Sequence, residues 1–153
     1  MPNHRPAAVA NMFLELAGDK GLTQLQIQKL TYIAHGWTLA LTDQPLIREL
    51  PQAWDRGPVY KSLWSKLAFA GTQAINKPLE GNGLIITAKI TPDEESIIRQ
   101  VWDVYGSLSG FRLSHLTHKA DSAWYQTYNE MGRNKPISDG LTKEHYKKLA
   151  NEG

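Results

Sequence analysis

The sequence predicts a mainly α fold, a single compact helical domain over residues 1–153 with a small β-hairpin or flap at about residues 79–91. Three observations carry this. Apolar residues recur at helical spacing through most of the chain, helix-start residues stand before the clearest of these segments, and β-branched residues concentrate only between Leu84 and Ile90. At 153 residues there is room for one core and not two.

The first helix is expected from Pro6 to Ala17, burying Val9, Ala10, Phe13, Leu14 and Ala17, with Gly18 ending it. Thr23 followed by Gln26 is a capping-box pattern, so a second helix begins there. Its stripe is Ile27, Leu30, Ala34, Trp37 and Leu41, widened by Ile33, and this should be the central helix. Gly36 weakens it but permits close approach of a neighbour. The breaker-rich loop from Thr42 to Gln52 is expected to hold Leu46, Ile47 and Leu50 against the core.

Next comes Ala53-Trp54-Asp55-Arg56-Gly57-Pro58-Val59-Tyr60, a breaker pair between aromatic clusters. Gly57 allows backbone angles closed to other residues and Pro58 suits a first helical turn, so a helix is expected to start here, with Val59, Leu63, Leu67 and Ala70 on one stripe and Gly71 at its end. The turn signal Gly81-Asn82-Gly83 and the run Leu84 to Ile90 supply the flap. Thr91-Pro92-Asp93-Glu94 then gives an N-cap, a proline at the first position and acids near the positive helix end, for a helix to Tyr105 with Ile97, Ile98, Val101, Val104 and Tyr105 as its apolar face. Helices over Phe111 to Thr117, Trp124 to Glu130 and Thr142 to Asn151 follow, with Asn134 to Gly140 a loop between the last two.

The combination of Lys29-Leu30-Thr31-Tyr32, Ala53-Trp54-Asp55-Arg56-Gly57-Pro58-Val59 and Leu116-Thr117-His118 before Trp124 resembles the Panacea domain of SocA-like antitoxins and GepA-like phage-associated proteins, over about Leu22 to Trp124. The chain departs from the family pattern at Ala123, where a proline often precedes the tryptophan. The resemblance implies an antitoxin that neutralises a toxin encoded by an adjacent gene through direct binding, and a second role as an adaptor delivering that toxin to the ClpXP protease. It also marks Lys29, Leu30, Trp54, Gly57, Pro58, Val59, His118 and Trp124 as structural motif residues.

Composition removes several alternatives. With 41% hydrophobic and 21% charged residues the chain folds and is not disordered. It has no cysteine, which excludes disulfides, thiolate metal sites and a cysteine nucleophile. A net charge of +2 is too small for a phosphate-tracking field, so nucleic acid is a disfavoured partner; the alternative reading, a phage-associated nucleic-acid-binding regulator, rests on Lys143, Lys147 and Lys148 in the last helix. No long apolar run suits a membrane, and Met-Pro-Asn-His-Arg-Pro lacks the apolar centre of a signal peptide, so a cytoplasmic location is expected.

Sites of chemistry are equally sparse. His115 and His118 share a helix face but have no third ligand, and Asp93, Glu94 and Glu95 point in different directions and complement the helix dipole. No Gly-x-Ser-x-Gly elbow and no phosphate-cradling glycine loop is present. The expectation is no enzyme, no cofactor and no metal. The aromatics are more informative. Trp37, Trp54 and Trp124 are expected in the core, whereas Tyr60 and Trp64, at i and i+4, should lie at the edge of the buried face. Tyrosine, tryptophan and arginine anchor interfaces, so the expected toxin-binding residues are Arg56, Tyr60 and Trp64, with Tyr32 and His35 beside them.

Overall fold

A computed structural model describes residues 3–152; Met1, Pro2 and Gly153 lie outside it. Within that range the chain forms seven α-helices and two short antiparallel strand pairs, the mainly α architecture with a small flap that the sequence predicts. Helix α1 (Pro6–Ala17) has proline in its first turn and ends at Gly18, with φ +65°. Helix α2 (Gln24–Thr42) carries the capping box: the Thr23 hydroxyl accepts from the Gln26 N–H and the Gln26 side chain accepts from the Thr23 N–H.

Helix α2 is the axis of the fold. Twelve of its residues are buried, from Ile27 through Leu39, on all sides of the helix. A helix buried all round needs neighbours all round. These are α1, strand β2 (Gly57–Val59), α3 (Lys61–Leu67), α4 (Pro92–Tyr105), α5 (Gly110–His118) and α7 (Asp139–Glu152). Gly36 is the closest approach: a Cβ there would overlap the ring of Tyr146 on α7. The capping box at Thr91 and Glu94 starts α4 where the sequence places it. Glu94 does more than complement a dipole, since it is buried and bonded to His4 Nε2 at 2.9 Å. Helix α6 (Ala123–Met131) packs with Ala53 and Ile137 in a smaller second cluster around Trp124.

The Gly57-Pro58 segment departs from expectation. It starts no helix; it is strand β2, paired antiparallel with β1 (Gln52–Trp54) across the two-residue turn Asp55-Arg56. Register explains why proline is tolerated. Pro58 faces Ala53, whose N–H and carbonyl are bonded outward to Lys135 and Asn134. Ala53 and Pro58 therefore form a non-hydrogen-bonded pair, and the missing proline N–H is not needed there. The helix begins one residue after Tyr60, which is itself extended at φ −86° and ψ 113°.

Other boundaries shift less. Only Leu84–Ile85 of the expected strand is a strand (β4), paired with Glu80–Gly81 (β3); beyond it the Ile86 N–H still donates to the Leu79 carbonyl at 3.1 Å, and Asn11 on α1 clasps the two segments, its side-chain amide donating to the carbonyls of Leu79 and Ile86 and its oxygen accepting from the Leu79 N–H. Asp139 and Gly140, assigned to a loop, form the first turn of α7, with the Ser138 hydroxyl accepting from the Leu141 N–H. Leu46 and Ile47 are buried as expected, but Leu41, Leu50 and Val104 are exposed. Leu41 and Val104 line a shallow apolar groove of about 330 Å³ between α2 and α4.

Candidate functional site

The β1–β2 hairpin needs partners for its outer edge, and α2 supplies them with side chains. The Tyr60 N–H donates to Gln28 Oε1 at 2.9 Å, and Gln28 Nε2 donates to the Tyr60 carbonyl at 3.0 Å. One residue on, Lys29 Nζ donates to the Pro58 carbonyl at 2.7 Å. Gln28 and Lys29 thus stand in for a third strand, satisfying backbone groups that would otherwise be buried and unpaired. On the other side, the Ser114 hydroxyl donates to the Arg56 carbonyl at 2.6 Å and Trp124 Nε1 donates to the Trp54 carbonyl at 2.6 Å. The hairpin is held on three sides, by α2, α5 and α6.

Beside this hairpin lies a groove of about 690 Å³. Its apolar walls are Leu25, Trp54, Val59, Trp64 and Phe111, its rim carries Arg56 and Arg133, and Lys29 is at its floor. Phe111 is 84% exposed and Trp64 43% exposed, so two large aromatic faces meet solvent. Trp64 rests on Trp54 with ring centroids 5.6 Å apart, which fixes its orientation. Arg133 and Asp55 form an ion pair, and the Tyr128 hydroxyl donates to the same carboxylate at 2.7 Å. Those two donors hold the Asp55 carboxyl below its usual range.

The expected site residues separate sharply. Arg56 and Trp64 face solvent on the groove. Tyr32, His35 and Tyr60 do not: each is 0% exposed and none lines the groove. The cause for Tyr60 is its extended backbone, which removes it from the helical periodicity used to place it beside Trp64. Its ring instead packs edge-on to His35 at 6.4 Å. His35 is a core connector: Nδ1 accepts from the Ile47 N–H at 3.2 Å, so Nε2 carries the proton and donates to Asp139 Oδ1 at 2.9 Å. Burial pushes the Tyr32 phenol up to about 12 and raises the Tyr60 phenol well above its usual value.

Of the motif residues, Leu30 and Val59 are core, and Gly57 sits at φ +119° as its turn requires. Trp124 is buried but Trp54 and Trp37 are only half-buried. The Nδ1 of His118 lies 3.3 Å from Ser114 Oγ within α5, and its ring packs on Trp124 at 5.3 Å. Burial, then the charges of Lys29 and His115, push its pKa down. Among the described residues no three of His, Asp or Glu converge as a metal site, and no helix is long and apolar enough to cross a membrane.

Sequence reasoning missed Phe111 and Arg133 as groove residues and treated Lys29 as structural only. The available signal for Lys29 was that it is the one lysine, arginine or acid in the helical run from Gln24 to Thr42. For Arg133, 78 residues from Asp55, no local signal existed.

The family described as "Antitoxin SocA-like, Panacea domain" matches residues 27–125, which include the hairpin, Lys29, Trp64 and Phe111. The chain is 30% identical over 135 residues to a protein named Antitoxin SocA from Caulobacter vibrioides (strain NA1000 / CB15N), covering 83% of this chain and 72% of that protein. No solved structure matches significantly.

Proposed function

The chain belongs to the SocA-like antitoxin family of Panacea-domain proteins, and from that premise we propose that it neutralises a cognate protein toxin by direct binding through the hairpin groove. The carrying observation is the pair of solvent-facing aromatics, Trp64 and Phe111, beside Arg56 on a braced hairpin. Interfaces place most of their energy in a few such aromatic and arginine anchors, and rigid support lowers the entropy cost of using them. Inhibition is steric and conformational, with no chemistry by this chain. The toxin is the product of an adjacent gene, the complex forms in the cytoplasm, and delivery to ClpXP is a second step of the same reading.

The nucleic-acid alternative has less support. Two of its three lysines, Lys143 and Lys147, both engage Asp43, at 2.9 and 3.2 Å. The test is co-expression of the adjacent gene product with wild type, Arg56→Ala and Trp64→Ala, reading growth rescue, co-purification and melting temperature together. Folded variants that lose capture by about 2 kcal/mol or more support the groove. Full neutralisation by both places the interface elsewhere, and a wild type that captures no neighbouring product removes direct neutralisation. Toxin that disappears only in cells with active ClpXP supports the adaptor step.

A further inference from the structure

Lys29 is an anomaly that bracing a hairpin does not explain. Its side chain has no exposed surface, and its ammonium donates to one acceptor, the Pro58 carbonyl at 2.7 Å, which leaves two N–H donors. Among the described residues no carboxylate forms an ion pair with it. The other charged and titratable groups around the groove are mostly of its own sign. Arg56 stands on the rim, His118 faces it from α5, and Arg133 is engaged with Asp55, the one acid there. Burial lowers the Lys29 amine to about 7. A neutral glutamine or methionine would brace the same carbonyl edge or fill the same space without a buried charge. What a lysine adds is attraction for an anion at the floor of an aromatic groove.

We propose that the groove receives a segment of the protein partner in which a carboxylate side chain lies next to an aromatic or large apolar one. The carboxylate pairs with Arg56 on the exposed rim, above the buried Lys29 ammonium whose charge favours it through the groove floor, and the apolar neighbour seats against Trp64 and Phe111. Asp55 does not compete for Lys29 because Arg133 and Tyr128 already hold it. The inference rests on the proposed toxin-binding reading and names the chemistry that the toxin presents.

The test uses a displayed library of random 12-residue peptides, panned on the folded wild-type protein and counter-selected on Lys29→Met. Recovered peptides are expected to carry Asp or Glu beside Trp, Phe, Tyr or Leu. One such peptide, labelled, should bind at least ten times more weakly when its acid is changed to the amide, and equally so to Lys29→Met. It should also weaken about tenfold or more between pH 7 and pH 9 in wild type only, since the free amine loses its proton over that range. Arg56→Ala, on the exposed rim, is a second variant that does not depend on core repacking and should weaken the acid peptide more than its amide. Recovery of no peptide, of peptides without acidic enrichment, or of peptides indifferent to Lys29→Met and Arg56→Ala overturns the inference. Failure of the toxin reading looks different: acid-dependent peptides bind, yet no adjacent gene product is captured. Conversely, toxin captured equally by wild type, Lys29→Met and Arg56→Ala leaves neutralisation standing and removes the carboxylate receptor.

Discussion

Replacing Lys29 with methionine should make the isolated protein more stable at neutral pH. Burial moves the amine from 10.5 to about 7. At about 1.4 kcal/mol per pK unit, the folded state at pH 7 carries a penalty of roughly 4 kcal/mol relative to an unfolded chain whose lysine is fully charged. Methionine has a similar length and no charge to desolvate, but it strands the Pro58 carbonyl, whose only partner among the described residues is Nζ, at a cost of about 1–3 kcal/mol. The net expectation is a gain of roughly 1–3 kcal/mol at pH 7.

Above pH 10.5 the amine is neutral in both states and costs nothing. As pH falls towards 7 the unfolded chain takes up a proton that the folded chain refuses, so stability drops through that window and levels off below it. Wild type should therefore gain roughly 2 kcal/mol between pH 7 and pH 9, and Lys29→Met should gain none from this source. Above about pH 10 the buried phenols reverse the trend, since Tyr32, with its pKa raised to about 12, keeps a proton that the unfolded chain releases. Urea unfolding of both proteins at pH 6, 7, 8 and 9 measures the difference directly. A variant that is less stable at every pH and has the wild-type slope would refute a costly buried amine and with it the main oddity of the groove.

Three further substitutions follow from geometry. Gly57→Val should lose about 1–3 kcal/mol in chemical denaturation, because Gly57 sits at φ +119° and a Cβ would lie 3.2 Å from Lys29 Nζ; wild-type stability would mean the hairpin turn is placed wrongly. Gly36→Ala ordinarily gains about 1 kcal/mol in a helix, but here the overlap with the Tyr146 ring should reverse the sign to a loss of about 1–3 kcal/mol, read as a lower melting temperature. Tyr60→Phe removes a buried hydroxyl that has no protein partner and should be neutral or stabilising by about 1 kcal/mol; a large loss would reveal a bond to that hydroxyl.

Local chemistry made much of this fold legible. The Thr23 and Thr91 capping boxes, the prolines opening α1 and α4, and the glycine ending α1 lie within a few residues of the elements they define, so the sequence predicts those boundaries to within a residue or two. The absence of cysteine and the family resemblance are likewise properties of the chain itself. The Gly57-Pro58 segment was misread because a glycine followed by proline suits both a helix start and an edge strand. What chooses between them is the pairing of Ala53 with Asn134 and Lys135, about eighty residues away.

The functional face divides the same way. Sequence determined that the chain carries aromatic and arginine residues around one turn. Only the tertiary structure decided which of them reach solvent: Tyr60 leaves the helical row because its backbone is extended and held by Gln28, Tyr32 and His35 are covered by α7, and Phe111 is left standing on the groove. Periodicity reports which side of a helix a residue occupies, but exposure depends on what packs over that side, and here the covering elements come from residues 134–152, far along the chain.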